Sequence, residues 1–229
     1  PIWAGPDTTR ERFLTPLGKI SGRAVTLTQP MQAYAQFHST LEKQFLGVTI
    51  PEGSSDANGD LALALDTLAG HANVGPFIGR QLIQRLVTSN PSRGYVARVA
   101  TAFAAGRFTS GTWTVGSGAR GDLRAVISAI LLDPEARTWS SAGGLMNGRV
   151  REPVLRLANW MRAFGARPRL RYRVGRTTMQ IGQSPLSAPS VFNFYRPDFA
   201  PPGSTLAEAG LAGPELQIAD ESTAVAYVN

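Results

Sequence analysis

The sequence predicts a mainly α fold, an irregular multi-helix bundle with long loops, room for one small β-hairpin, and a C-terminal strap rich in proline and aromatic residues. Two observations carry this prediction. Between Asp60 and Leu132, apolar residues recur at helical spacing in four helix-length segments. Capping residues, glycines and prolines separate these segments. Helices that each carry an apolar face cannot bury it alone, so we expect one packed helical core.

The residues before this core are irregular. Prolines and glycines interrupt residues 1–36, and Arg23 to Gln29 suits either a short strand or an unpaired extended segment. The stretch from Met31 to Leu46 predicts a short helix through Ala33 and Phe37. Residues 51–59 have the composition of a surface loop.

The first two core helices have clear boundaries. Leu61, Leu65 and Leu68 share a face of the first, and Gly70 follows its last turn. Pro76 suits the first turn of the second helix, where its missing N–H costs nothing. The apolar face of this second helix is predicted to contain Phe77, Ile78, Leu82, Ile83, Leu86 and Val87.

The third and fourth helices begin at good capping residues. Asn90-Pro91 ends the second helix, and Ser92 can cap the third. The predicted inner face of the third helix contains Tyr95, Val96, Val99, Ala100 and Phe103. Asp122 opens the fourth helix and Asp133-Pro134 ends it. The predicted inner face of the fourth contains Leu123, Val126, Ile127, Ile130 and Leu131.

Two segments rich in glycine, serine and threonine interrupt the helical pattern. Phe108, Trp113 and Val115 would support a small hairpin between Gly106 and Gly121, but the turn composition favours a mobile loop with one pinned aromatic side chain. Thr138 to Gly148 is predicted to be a second loop.

Two more helices are predicted towards the C-terminus. Arg151 to Phe164 has Pro153 in its first turn and Gly165 just past its end, and we interpret it as a core-packing helix. Its predicted apolar face contains Val154, Leu157, Trp160, Met161 and Phe164. A last helix is predicted from Glu215 to Val228.

The positive charge is concentrated in one window. The chain carries a net charge of +7. The window from Arg137 to Arg176 contains ten arginines and only one acidic residue, Glu152. An extended conformation would place alternate arginines on one face, which suits a phosphate or a polyanionic polymer. The candidates for anion binding are Arg167, Arg169, Arg171, Arg173 and Arg176. A solvated face, or pairing with carboxylates of an upstream half, is the interpretation that composition favours.

Residues 182–203 combine five prolines with four large aromatic residues. This segment is too apolar for a free linker, so we expect an ordered, irregular strap across the helices. The alternative is an aromatic platform for a sugar or a polymer.

Catalytic signals are sparse. The chain has two histidines, His38 and His71, and no cysteine, which excludes disulfides and thiolate metal sites. His71 lies in a turn, where backbone hydrogen bonding is the usual role. His71 and Glu152 are the candidate catalytic residues, and no metal site or cofactor is predicted. The common nucleophile, phosphate-binding and zinc-protease motifs do not occur.

Many ordered blocks resemble the bacterial family known as domain of unknown function eighteen hundred. They include Phe45-Leu46-Gly47, the Leu65–Ala100 stretch, Gly121-Asp122-Leu123, Leu132 to Arg137, Arg151 to Arg156, Gly182 to Pro185, Ala188 to Phe194, Arg196-Pro197-Asp198 and Pro214-Glu215. The family commonly has an acid after the residue equivalent to His38, where this chain has Ser39.

The resemblance implies the C-terminal half of a longer protein with another helical half upstream. It also implies export to the periplasm or beyond the cell. We expect one domain over residues 1–229, with an irregular segment at 1–36, a helical core at 37–165, and the basic segment, strap and last helix at 166–229.

Two hypotheses for function follow. The favoured one is a non-catalytic helical module of an exported bacterial protein, serving binding or assembly. Its partner would be the upstream half, another exported protein or an anionic ligand. The alternative is a hydrolase-like or polymer-processing enzyme with a site near His71, Glu152 and Arg167 to Arg176. The sequence alone does not decide whether the protein is an enzyme. Recognition motifs for nucleic acid are absent, and so is an apolar run of the roughly 20 residues that a transmembrane helix needs.

Overall fold

A computed structural model describes residues 3–4, 32–138, 148–167, 181–184, 188–221, 223 and 225. The chain falls into two compact units, Pro1–Val74 and Gly75–Asn229. Helices predominate in the part described, and the strands form short antiparallel pairs, which confirms the mainly α fold class. The assignment of one domain to residues 1–229 stays a prediction.

The first unit combines short strand pairs with one long helix. Its strands pair β1 with β2 and β3 with β4, with bounds β1 Trp3–Ala4, β2 Gln32–Ala33, β3 Lys43–Phe45 and β4 Val48–Ile50. Leu46 and Gly47 join β3 to β4 with φ of 48° and 80°, which are the positive values that a tight two-residue hairpin turn requires. Helix α1 (Ala57–Gly70) begins after Asp56, whose carboxylate accepts a hydrogen bond from the Gly59 amide.

Two expectations for this unit are wrong. The short helix expected between Met31 and Leu46 is present only as a 3-10 helix, Ala35–Phe37, and its expected start at Ala33 is wrong because Gln32–Ala33 pairs as a strand. The leucines of α1 are not packed: Leu61 is 39%, Leu65 55% and Leu68 51% exposed. A small unit has little interior to offer such side chains, and its described residues bury only Ile50 and Ala57 among the apolar ones.

The second unit contains the remaining helices. Their bounds are α2 Val74–Leu86, α3 Arg93–Ala105, α4 Leu123–Leu131, α5 Pro134–Arg137, α6 Pro153–Ala163, α7 Thr205–Glu208 and a 3-10 helix Pro214–Gln217. The core lies where α3 packs on α4, and Tyr95, Val99, Val126 and Ile130 are fully buried there. The Ser92 hydroxyl accepts a hydrogen bond from the Tyr95 amide, which confirms the predicted cap of α3.

Two glycines allow α2 to approach α3 closely. A Cβ at Gly79 would lie 3.0 Å from Cγ1 of Val99, and one at Gly75 would lie 3.3 Å from the Phe103 ring. The buried face of α2 therefore follows Gly75, Gly79 and Ile83. The predicted face is wrong in part, since Phe77 and Leu86 are exposed.

The inner face of α4 is also rotated from the prediction. Its buried residues are Ala125, Val126, Ala129 and Ile130, whereas the exposed ones include Leu123, Ile127 and Leu131. Two small alanines thus share the inner face with Val126 and Ile130, while three larger residues of the predicted face lie outside. The predicted start of α4 is confirmed, because the Asp122 carboxylate accepts hydrogen bonds from the Arg124 and Ala125 amides.

The glycine-rich segment after α3 forms the hairpin, so the favoured interpretation of a mobile loop is wrong. Strand β5 (Phe108–Ser110) pairs with β6 (Trp113–Val115), and Phe108 lies opposite Val115. Gly111 adopts φ of 60°, which suits the two-residue turn between the strands.

The C-terminal helices depart further from expectation. Pro153 occupies the first turn of α6 as predicted, but Trp160 (55%) and Phe164 (73%) are exposed, so the core-packing interpretation of this helix is wrong for them. Their rings contact each other instead, with centroids 5.4 Å apart. The helix expected from Glu215 to Val228 is not continuous: it begins as the 3-10 helix Pro214–Gln217, breaks at residues 218–220, and is helical again at the described residues Glu221, Thr223 and Val225.

The proline-rich strap is ordered where it is described, as predicted. The side-chain amide of Gln84 on α2 holds it by donating to the Pro197 carbonyl at 3.0 Å. Beyond the strap, Asn90 exchanges two hydrogen bonds with the backbone of Ala212. The predicted strand at Arg23 to Gln29 and most of the loop at Thr138 to Gly148 lie outside the described residues. Within the described part of the chain, none of the helices has the length and apolar character that crossing a bilayer requires.

Candidate functional site

A half-buried carboxylate, Glu152, lies at the centre of a polar network in the second unit. The Tyr195 hydroxyl donates a 2.6 Å hydrogen bond to Oε1 of Glu152. The Gln183 amide donates to Oε2 at 2.8 Å. Nη1 of Arg149 lies 3.7 Å and Nη1 of Arg85 lies 3.9 Å from Oε1. One carboxylate thus joins the end of α2, the start of α6 and two segments of the C-terminal region.

Gln183 gives this network a second attachment to α6. Its side-chain oxygen accepts a hydrogen bond from the Val154 amide at 3.1 Å. Glu152 directly precedes α6, but its side chain accepts no hydrogen bond from the first amides of that helix. The first amides of a helix lack partners within the helix, so Gln183 supplies one from elsewhere in the chain. The carboxylate and the helix start are therefore fixed by the same residue.

A second carboxylate, Glu215, is almost fully buried, with 1% of its surface exposed. Its Oε1 accepts a 2.9 Å hydrogen bond from Nη1 of Arg149. Its Oε2 has no hydrogen-bond partner among the described residues. Arg149 is thus shared between two carboxylates, while the guanidinium of Arg85 also lies 4.3 Å from the centre of the Tyr195 ring.

The two carboxylates have opposite pKa shifts. Burial favours the neutral form of Glu152, but hydrogen bonds from Tyr195 and Gln183, with the nearby guanidinium groups, outweigh it and lower its pKa below the ordinary value. Burial raises the pKa of Glu215, and Arg149 only partly opposes this. Burial, with the Glu152 carboxylate as acceptor, also raises the pKa of the Tyr195 hydroxyl. Tyr195 therefore acts as a hydrogen-bond donor and is not available as a base.

An open cavity of about 520 Å³ lies beside this network. Its apolar wall comes from Leu86 and Val87 at the end of α2 and from Leu155 on α6, and its polar wall includes Arg149, Arg151 and Asn159. Arg149 belongs to both the cavity wall and the buried network. Ligand sites typically have volumes of about 300–1,000 Å³, so this cavity is large enough for a small organic molecule.

The structure does not bring together the site residues that were predicted from the sequence. Glu152 lies in the network, whereas His71 belongs to the first unit and ends α1, where its Nδ1 accepts a 3.2 Å hydrogen bond from the Asn73 amide. Arg167 is exposed. The other anion-binding candidates, Arg169, Arg171, Arg173 and Arg176, lie outside the described residues.

The first unit has a polar cluster of its own around Asp60. Oδ2 of Asp60 contacts His38 Nε2 at 2.8 Å and Lys43 Nζ at 2.9 Å, and Oδ1 accepts a 2.8 Å hydrogen bond from Ser54. The hydrogen bond from Lys43, then that from Ser54, lowers the pKa of Asp60 to about 2. The serine and the histidine both contact the acid, so the serine is not activated by the histidine as a nucleophile would be. The cluster ties α1 to the segment before it.

The sequence matches the family described as "Protein of unknown function (DUF1800)" over residues 18–228, which is most of the chain. The chain belongs to the DUF1800 family. No curated protein and no solved structure matches it. The Glu152 network thus lies in a segment that the DUF1800 match covers, and the family name assigns no activity to it.

Sequence reasoning missed most of the Glu152 network in this DUF1800 chain. It singled out Glu152 as the one acid in a basic window and named Glu215 among the carboxylates that could converge, but it assigned no role to Arg85 or Arg149. Arg85 looks like an ordinary polar residue on the solvent side of α2. A buried network joining residues this far apart in sequence has no local pattern, so the available signals were only the Arg149-x-x-Glu152 spacing and the Pro214-Glu215 pair.

Proposed function

We propose that the protein is a non-catalytic binding module of an exported bacterial protein. The observation that carries this proposal is the full engagement of Glu152, the candidate catalytic carboxylate. Tyr195 and Gln183 occupy its two oxygens, and two guanidinium groups balance its charge. A general acid or base needs a free path to the proton it transfers, and this carboxylate instead holds chain segments together.

Binding is supported by the cavity next to this network. Hydrogen bonds and ion pairs fix Arg149 on its polar wall before any ligand arrives, which reduces the entropy lost on binding. The walls also combine apolar surface with a few polar groups, as ligand sites commonly do. Export, the position in the C-terminal half of a longer protein and a second exported partner rest on the family resemblance and stay predictions.

Incubating the purified protein with an extract of the bacterial cells that produce it would distinguish binding of a compound from its catalytic conversion. We expect native mass spectrometry to find a species retained by the wild-type protein and chemically unchanged after hours of incubation. Glu152→Gln, confirmed as folded by circular dichroism, would serve as the matched variant. A species that the wild type consumes and Glu152→Gln spares would contradict the proposal, since it would make the carboxylate a participant in chemistry.

A further inference from the structure

We infer that the cavity beside Arg149 binds a small ligand in which an anionic group, a carboxylate or a phosphate, is attached to an apolar chain. This inference rests on the proposed binding function and adds the chemical class of the ligand. It is carried by the charge, the fixed geometry and the apolar surface of the cavity walls.

The charge of the site favours an anion. Three guanidinium groups, those of Arg85, Arg149 and Arg151, accompany two carboxylates, those of Glu152 and Glu215. Arg151 lies on the cavity wall, is exposed, and forms no ion pair with any described residue. One positive charge therefore remains for a ligand. A planar guanidinium offers paired donors that match the oxygens of carboxylates and phosphates.

Arg149 is presented to the cavity in a fixed orientation. Its contacts with Glu215 and Glu152 both involve Nη1, and a guanidinium has further N–H donors on its other nitrogens. The backbone before it is held as well, since the Gly148 carbonyl accepts hydrogen bonds from the Ser89 amide at 3.0 Å and from the Thr88 hydroxyl at 3.1 Å. This arrangement orders Arg149 before a ligand binds, so this side chain needs little further ordering.

The apolar wall favours a ligand with a hydrocarbon part. Leu86 is 47% and Leu155 is 42% exposed, and both line the cavity. Covering such surface removes apolar area from water, which favours binding. A free inorganic anion would leave this surface in water, whereas an anion with an attached chain would cover it. The amide of Asn159, four residues after Leu155 and so on the same side of α6, is available to orient the ligand.

Isothermal titration calorimetry with four probes tests the inference on the full chain. Octanoate and octyl phosphate carry both features, acetate carries only the charge, and octanol carries only the chain. We expect at least one of the first two to bind with a Kd at least tenfold lower than that of acetate or octanol. The tighter of the two would identify the anionic group. Equal affinity for all four probes, or no detectable binding of either amphiphilic anion, would overturn the inference.

Two exposed arginines provide a matched pair of variants. We expect Arg151→Gln to raise the Kd for the tighter probe about fivefold to tenfold, whereas Arg80→Gln, an exposed arginine on α2 away from the cavity wall, leaves it unchanged. Equal effects of the two substitutions would overturn the assignment to this cavity. Failure of these probes would leave the extract experiment unaffected, because that experiment detects turnover or retention of any compound. The ligand class and the proposed function can therefore fail separately.

Discussion

The Tyr195 hydroxyl donates a 2.6 Å hydrogen bond to Oε1 of Glu152, while the tyrosine ring packs against the guanidinium of Arg85 at 4.3 Å. One side chain of the proline-rich strap thus contacts both the carboxylate of Glu152 and the guanidinium of Arg85 in the second unit. This relationship makes the strap part of the packing of that unit.

Removal of this hydroxyl is expected to destabilise the second unit. In Tyr195→Phe the ring remains over Arg85, but the half-buried Glu152 carboxylate loses a donor. Hydrogen bonds to charged groups contribute about 1.5–3 kcal/mol, so we expect a loss of that size in the free energy of unfolding measured with urea. Tyr95→Phe is the control, because the Tyr95 hydroxyl donates at 2.6 Å to a neutral acceptor, the Ile130 carbonyl. That variant should lose only about 1 kcal/mol. A larger loss for Tyr95→Phe would contradict this account.

Glu215 predicts a component of stability that declines as pH rises. Burial raises its pKa in the folded protein, so the folded state binds the proton more tightly than the unfolded state. The contribution is fully present below the unfolded pKa and is lost as pH rises through the folded pKa. Urea unfolding between pH 4 and pH 8 should therefore show the wild type losing stability relative to Glu215→Gln as pH increases. The opposite slope would show that Arg149 outweighs burial.

Asp60 should behave in the opposite way. Its pKa of about 2 lies below the ordinary value because of Lys43 and Ser54, so its contribution is present above the unfolded pKa and is lost as pH falls towards 2. Carboxyl ¹³C chemical shifts should place its midpoint near that value. In Lys43→Met the midpoint should move upwards. An unchanged midpoint in this variant would remove the lysine as the main cause.

The close approach of α2 and α3 makes Gly79 sensitive to a single methyl group. Alanine in a helix is favoured over glycine by about 1 kcal/mol, but overpacking typically costs about 1–3 kcal/mol. The new Cβ would lie 3.0 Å from Val99, so we expect Gly79→Ala to lower the free energy of unfolding. Gly70→Ala is the control, since no atom lies within 4 Å of its Cβ position, and it should be neutral or gain up to about 1 kcal/mol. Urea unfolding of both variants would show whether the two changes differ in sign.

The sequence predicted the helices better than their inner faces. Caps such as Ser92 and Asp122 act within one turn, so local chemistry sufficed to locate the starts of α3 and α4. The face of α2 depends on the close approach at Gly79, and that of α4 on buried small residues such as Ala129, which hydrophobic periodicity does not weigh. The hairpin turn at Leu46 was missed because leucine is an unusual residue at φ of 48°. The site combines Glu152 with residues distant in sequence, and only the acid itself stood out.

The network around Glu152 also bears on how the chain is made. Its hydrogen bonds join positions 43 residues apart, from Tyr195 to Glu152, and 66 residues apart, from Arg149 to Glu215. Helices α2, α3 and α4 can form on the ribosome well before Tyr195 and Glu215 have been synthesised. The ion pair between Arg149 and Glu215 therefore cannot form until most of the polypeptide has emerged. Closing contacts across such long separations is slow, so completion of this network should be among the last events of folding.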